Sequence, residues 1–249
     1  MTALQVRGIP ISTAPFDDVM ASVERWIADR SQGVVCCANV HLIETARRDF
    51  RVARAVGEAE LVLPDGAPVA WVMRRLGATH VRRISGSDVF AELCARSSER
   101  GYRHFFLGST EETLRHLRLE LAHRGLRVGT YAPPHAPLEA MDLEEAARRI
   151  NEKGPDILWV GLGAPKQELW IRAARPLLSV PVICGVGAVL DFAAGTKPRA
   201  PRALQRAGLE WAFRLAVEPR RLGRRYLTTN TSFIAGVPRM LAQGERFGA

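Results

Sequence analysis

Pro155-Asp156-Ile157-Leu158-Trp159-Val160-Gly161-Leu162-Gly163-Ala164-Pro165-Lys166-Gln167-Glu168 reads as a buried strand, a glycine turn and the opening of a helix. The apolar run over residues 156–161 has no polar alternation, as in a strand covered on both faces. Gly161 and Gly163 interrupt it, and Pro165 at a first helical position predicts a helix over residues 166–177. A strand feeding a helix is half of a βαβ unit, and the neighbouring sequence repeats it. Residues 104–107, 127–131 and 180–184 read as strands, and residues 111–124 and 142–151 as helices, the first with Ser109 and Glu112 at capping-box spacing. Upstream, residues 34–38 and 59–63 read as strands and residues 39–56, 69–76 and 87–100 as helices; Pro64-Asp65-Gly66 is a turn. The alternation predicts an α/β fold, a parallel Rossmann-like sheet flanked by helices.

After Pro198 the pattern is helical only. Leu204, Gly208, Trp211 and Leu215 form a small-and-apolar stripe, Glu210 and Arg214 stand at ion-pair spacing, and Pro219 breaks the helix. The expected division is an α/β catalytic domain over residues 1–198 and a basic helical appendage over residues 199–249. The net charge supports it. Ten arginines against three glutamates put +7 of the chain's +9 into residues 199–249. Such asymmetry points to phosphates, on nucleic acid, an anionic membrane or a substrate, or else to a merely solvated helix.

The 249 residues are 47% hydrophobic and 24% charged, which excludes disordered, collagenous and disulfide-scaffold classes. Cys36, Cys37, Cys94 and Cys184 lack C-x-x-C spacing and read as buried, reduced thiols of a cytosolic enzyme. Arg7, Asp17 and Asp18 argue against a secretory signal. No apolar run reaches the roughly 20 residues of a spanning helix.

Ligands of an open parallel sheet bind beyond the carboxyl ends of its strands. Those ends are glycine-rich at Gly108-Ser109-Thr110, at Gly161-Leu162-Gly163 and at Gly185-Val186-Gly187. Glycine lets the backbone approach a phosphate, and helix N-termini offer N–H donors. These turns suit a nucleotide-shaped ligand, ordinary tight turns being the other reading. Neither a G-x-x-x-x-G-K-[ST] loop nor the dinucleotide G-x-G-x-x-G pattern occurs, so ATPase and NAD chemistry lose weight. No Asp-x-Asp pair is present to hold a metal on a diphosphate, and the histidines show no ligand spacing. No metal is assigned; arginines and helix ends are expected to neutralise a diphosphate instead.

Asp65 closes an apolar strand, where it could accept a proton from a substrate hydroxyl or satisfy its own turn. Asn39 could hydrogen-bond a sugar or cap the following helix. Gln167 and Glu168 fall in the first turn of a helix and face the same strand-end crevice; Gln167 can donate and accept at once. Asp191 suits ribose hydroxyls or a base N–H. His41 and His135 lie near the crevice without a role.

Together these segments resemble one family. Asn39, Leu61-Val62-Leu63-Pro64-Asp65-Gly66, Ile84-Ser85-Gly86-Ser87-Asp88, Phe105-Phe106-Leu107-Gly108, the segment from Pro155 to Glu168, and Gly185-Val186-Gly187-Ala188-Val189-Leu190-Asp191-Phe192 are similar, in order, to the WecG/TagA/CpsF family of bacterial glycosyltransferases. The resemblance implies transfer of a sugar from a UDP-sugar to a polyprenyl-diphosphate-linked saccharide, with inversion and without a metal or other cofactor. It implies peripheral attachment to the cytoplasmic face of the cell membrane and a product used in surface or exopolysaccharide synthesis. It makes Asp65 the general base, Gln167 a sugar or phosphate contact, and Gly187 and Asp191 the border of the nucleotide pocket. Asn39, Gly108, Gly161 and Gly185 complete the expected substrate contacts. Arg214, then Arg221 and Arg224, become the diphosphate contacts of an appendage that docks on the membrane and closes the site. Trp211, Phe213 and Phe233 are the aromatics expected to enter the membrane interface. One departure is Cys37, where family members often carry threonine; a thiol is a poor hydroxyl substitute. The rivals are a nucleic-acid-binding module, disfavoured by the lack of a stacking platform, and a nucleotide-dependent oxidoreductase. Donor sugar, acceptor length and assembly into a homo-oligomer stay open.

Overall fold

The computed structural model describes residues 2–206 and 208–243, leaving aside the side chains of Arg202, Arg206, Arg221 and Gln243. A hairpin of β1 (Ala3–Val6) and β2 (Ile9–Ser12) opens the chain. The central elements are α1 (Phe16–Asp29), β3 (Gly33–Ala38), α2 (Val40–Arg48), α3 (Phe50–Gly57), β4 (Leu61–Pro64), α4 (Ala67–Arg75), α5 (Gly86–Arg100), β5 (Arg103–Gly108), α6 (Glu111–His123), β6 (Arg127–Tyr131), α7 (Leu143–Lys153), β7 (Ile157–Gly161), α8 (Lys166–Ala174), β8 (Val182–Gly185) and α9 (Val189–Ala193). Past Pro198 come α10 (Arg202–Arg206), α11 (Glu210–Val217) and α12 (Pro219–Gln243). Strands β3 to β8 form one parallel sheet in the order β4-β3-β8-β7-β5-β6.

The strands are apolar on both faces because both are covered. Val35, Leu61, Leu63, Phe106, Trp159 and Cys184 pack under α1, α5, α6 and α9. On the opposite face Phe105, Leu107, Leu158 and Val160 lie under α7 and α8. Cys36, Ala38 and Val62 continue that face under the hairpin, α2, α3 and α4, and Phe233 and Met240 of α12 join the same cluster. Glu44, fully buried on α2, binds Arg7 from the hairpin at 2.9 Å and Ser232 from α12 at 2.6 Å. The second half of α12 is thereby fastened to the sheet domain.

The topology creates the crevice. From β5 the chain leaves outward through α6 to β6, whereas from β7 it returns through α8 toward β8. Loops at the carboxyl ends of β5 and β7 therefore diverge, opening the gap in which ligands of such sheets bind.

Several local expectations need correction. Residues 39–56 form two helices, because the Asp49 side chain accepts from the Arg51 amide and caps α3. Thr110, not Ser109, caps α6 by accepting from the Thr113 amide; Ser109 has φ 61°. Pro165 occupies the N-cap of α8 after a cis peptide bond rather than the first helical position. The stripe through Leu204 and Leu215 is divided by the turn at Gly208, and Glu210 pairs with Arg83 and Arg199 instead of Arg214. Phe233, 2% exposed, belongs to the core and is unavailable to a membrane.

Candidate active site

The crevice runs along the carboxyl ends of β4, β3, β8, β7 and β5. At its β5–β7 end two glycines let the backbones meet. A Cβ on Gly108, where φ is +106°, would lie 2.7 Å from the carbonyl of Gly161, and one on Gly161 would lie 2.5 Å from Leu190. Beside them Ser109 Oγ donates to Asp191 Oδ1 at 2.8 Å, and Lys197 Nζ holds Oδ2 at 2.7 Å. Asp191 is thus part of a built bay, with one ammonium already in it. Arg214 closes the bay from α11, its guanidinium 5.6 Å above the Phe192 ring, and lines a small cleft with Ala188, Lys197 and Glu218.

At the other end stands Asp65. Its amide donates to the carbonyls of Ala38 and Leu63, which fixes the turn, but among the described residues no hydrogen bond reaches its carboxylate. The reading in which Asp65 merely satisfies its own turn therefore fails. Burial pushes this carboxyl up to about 6, with Arg83 and Arg214 opposing and Glu210 and Asp88 adding to the shift. The charges of Arg83 and of Arg214 on α11 thus both bear on Asp65. Arg83 and Arg199 each reach both Asp88 on α5 and Glu210 on α11, at 3.3–3.9 Å. A cavity of about 260 Å³ adjoins this network, lined by Phe16, His80, Arg82, Arg83, Ile84 and Asp88 among others.

Between the two ends lies the start of α8. Gln167 and Glu168 are each 4% exposed, and Gln167 Nε2 donates to Glu168 Oε1 at 2.8 Å. Gly185 and Gly187 leave room for them: Cβ atoms there would lie 3.2 Å and 3.5 Å from the Gln167 amide. Burial pushes the Glu168 carboxyl up to about 7. His41, near the start of α2, is held down to about 4 by burial and by the charge of Arg225. Cys37 is buried, its Sγ 3.3 Å from the Cβ position of Gly86; burial and the charge of Asp65 push its thiol well up.

The structure thus brings Asp65, Gly108, Gly161, Gln167, Gly185, Gly187, Asp191 and Arg214 to one rim. Asn39 also stands there, at the end of β3, with Oδ1 occupied in capping α2 through the Leu42 amide. Arg224 is exposed on α12, the side chain of Arg221 lies outside the described residues, and His135 is exposed in the loop after β6. Sequence reasoning missed Arg83, Lys197 and Arg199, and had Asp88 in a family-like segment without a role. Only the charged residues just before α5 and just after α9 hinted at them. Among the described residues no three His, Cys, Asp or Glu side chains group as a metal site. No helix among them is long and apolar enough to cross a membrane.

Comparison with known proteins decides what this rim belongs to. Residues 4–246 match the glycosyl transferase WecG/TagA/CpsF family. The chain belongs to that family. A relative from Bacillus spizizenii is 29% identical over 220 residues, covering 85% of this chain and 84% of its own length. One from Staphylococcus aureus is 26% identical over 223 residues, covering 89% and 87% respectively. Both bear the name N-acetylglucosaminyldiphosphoundecaprenol N-acetyl-β-D-mannosaminyltransferase. In this WecG/TagA/CpsF glycosyltransferase both ends of the groove carry acidic and basic groups together: Asp191 with Lys197 at one, Arg83 and Arg199 with Asp88 and Glu210 at the other.

Proposed function

We propose that this protein transfers a sugar from a UDP-sugar to a saccharide carried on a polyprenyl diphosphate, by a single inverting displacement that needs no metal ion. The observation that carries this reading is the Asp65 carboxylate, hydrogen-bonded to nothing among the described residues and raised to about 6, in the same groove as the glycine-lined bay. A base of that strength is ionised at neutral pH and still competent to take a hydroxyl proton. The relatives' names describe a lipid-diphosphate acceptor and an N-acetylmannosaminyl donor group, and that donor class is adopted here.

In this mechanism the nucleotide lies across Gly108 and Gly161, its ribose or base toward Ser109 and Asp191. The acceptor hydroxyl meets Asp65, which removes its proton as the oxygen attacks the anomeric carbon. UDP departs on the opposite face, and its growing charge is met by Arg214 and Lys197, two half-buried cations at the bay. The cations Arg214 and Lys197 beside the bay support the metal-free reading of the leaving group. Transfer to a lipid-linked acceptor, read by mass spectrometry, is expected to proceed undiminished in EDTA. A strict requirement for added Mg²⁺ would remove the leaving-group account.

The acceptor's lipid requires attachment to the membrane, taken here as its cytoplasmic face. Leu227, Ile234 and Leu241, seven residues apart along α12, are 73%, 67% and 40% exposed, with Arg220, Arg224 and Arg239 exposed beside them. An apolar line flanked by arginines suits an anionic leaflet.

A further inference from the structure

The cavity beside Asp65 takes no part in the proton transfer or in holding the nucleotide. Strand β4 is the edge of the sheet. The Asp65 amide points inward to the Ala38 carbonyl of β3, whereas the Pro64 carbonyl points outward and accepts from the Ile84 amide at 3.1 Å. The segment ending at Ile84 therefore borders the open side of β4, and it forms one wall of the space of about 260 Å³. The other wall is the turn into α1, with Ala14 and Phe16, and the two are tied where His80 Nε2 donates to the Thr13 carbonyl at 3.0 Å. Pockets for whole small molecules begin near about 300 Å³, so this one admits a single ring and not a sugar nucleotide.

The charged groups at its border are loosely paired. Arg83 Nη2 stands 3.3 Å from Asp88 Oδ2, but Arg83 Nη1 is 3.7 Å from Glu210 Oε2. Arg199 is 3.7 Å from Asp88 Oδ1 and 3.9 Å from Glu210 Oε1. Three of these four contacts are too long for hydrogen bonds. Arg199 Nε and Nη2 are buried and, among the described residues, donate to nothing. Asp88 Oδ2 accepts from the Ser85 amide and hydroxyl, whereas Oδ1 accepts from no described residue. A hydroxyl group can accept from a guanidinium and donate to a carboxylate at once, so it bridges gaps of this kind. An anion would face Asp88 and Glu210 there, and a cation would face Arg83 and Arg199. A neutral ring bearing hydroxyls suits both, with Phe16 as an apolar surface for its C–H side.

Position decides which substrate brings that ring. The nucleotide bay lies at β5 and β7, and β8 and β3 separate it from β4. On the glycosyl-transfer reading above, which this step rests on, the transferred sugar reaches from the bay toward Asp65. A ring on the outer side of Asp65 then belongs to the other substrate. We infer that the cavity between the turn into α1 and the segment before α5 seats a sugar ring of the lipid-linked acceptor, its hydroxyls bridging Arg83 and Asp88 and its C–H face on Phe16. Seated there, the ring presents its attacking hydroxyl to Asp65.

The test uses the full chain, UDP-N-acetylmannosamine, and N-acetylglucosaminyl diphosphate carried on a short prenyl chain. Transfer is read by mass spectrometry, and acceptor binding to the UDP-saturated protein by calorimetry. Phe16→Ala removes the apolar surface, and Ala14→Leu narrows the space without deleting a contact. Each should raise the acceptor KM by about tenfold and weaken acceptor binding in step, as loss of uniform binding does. Donor KM and UDP affinity should stay unchanged. A lower Tm in Phe16→Ala would mark lost packing, and Ala14→Leu then decides. An unchanged acceptor KM in Ala14→Leu, or a donor KM that rises in parallel, would overturn the inference. So would an unaltered protein that binds UDP but not the acceptor. One that binds neither strikes the glycosyl-transfer reading itself.

Discussion

Asp65 is costly to the fold and useful to the reaction for one reason. Its carboxyl ionises at about 6 instead of 3.8 because burial disfavours the charged form. In the unfolded chain the proton leaves at lower pH, so raising the pH from about 4 to 6 favours unfolding, and the penalty persists above that range. Asp65→Asn should therefore melt higher than the unaltered protein at pH 7.5 and equally at pH 4, as read by thermal denaturation. The same substitution removes the base, and turnover should fall by about 10²–10⁴-fold with the fold intact. The unaltered enzyme's rate should drop as pH falls through about 6, a limb that Asp65→Asn should lack. Sequence alone singled out Asp65 and Gln167 as candidates because strand-end carboxylates and helix-start amides sit where such sheets bind ligands; the resemblance supplied their roles. It did not reveal the raised ionisation, nor Arg83 and Arg199. Those depend on chain segments over a hundred residues apart meeting at Asp88 and Glu210.

Among elements, strands were more legible than helix ends. The sequence placed β5, β6 and β7 to within a residue or two, β7 on an uninterrupted apolar run and β6 on a shorter, mixed one. The β1–β2 hairpin and α1 were missed. The start of α6 was misread because Ser109 and Thr110 can both cap, and the choice follows from what Ser109 finds across the crevice. Its hydroxyl goes to Asp191, which the left-handed turn at Gly108-Ser109 permits. That turn is where β5 delivers its backbone to β7, with no space for a methyl group. Gly108→Ala should cost about 1–3 kcal/mol in stability from its backbone conformation alone. By pushing the Gly161 carbonyl away it should also weaken UDP binding at least tenfold by calorimetry, far more than it alters the rate of bound substrate.

On the scale of the whole molecule, α12 has two faces with different duties. Its inner face, with Leu222, Thr229, Phe233 and Met240, is buried, and Phe233 and Met240 complete the cluster beneath the hairpin and α2. Phe233→Ala should destabilise the protein by about 3–5 kcal/mol, and removing all residues after Pro198 would uncover that core as well as any membrane surface. Truncation therefore cannot isolate membrane attachment. The outer face can be altered without touching the core. Leu227 and Ile234 are among its most exposed apolar side chains, and full burial of one is worth about 1.5–3 kcal/mol. Leu227→Ser with Ile234→Ser should weaken binding to anionic vesicles at least tenfold, leaving Tm and UDP affinity unchanged. Replacing Arg220, Arg224 and Arg239 by glutamine should instead reduce the dependence of vesicle binding on salt, because each arginine near an anionic surface contributes about 1 kcal/mol that ions screen. If the serine variant sediments with vesicles as well as the unaltered protein does, attachment runs through another surface. The basic segment after Pro198 then serves the diphosphate alone.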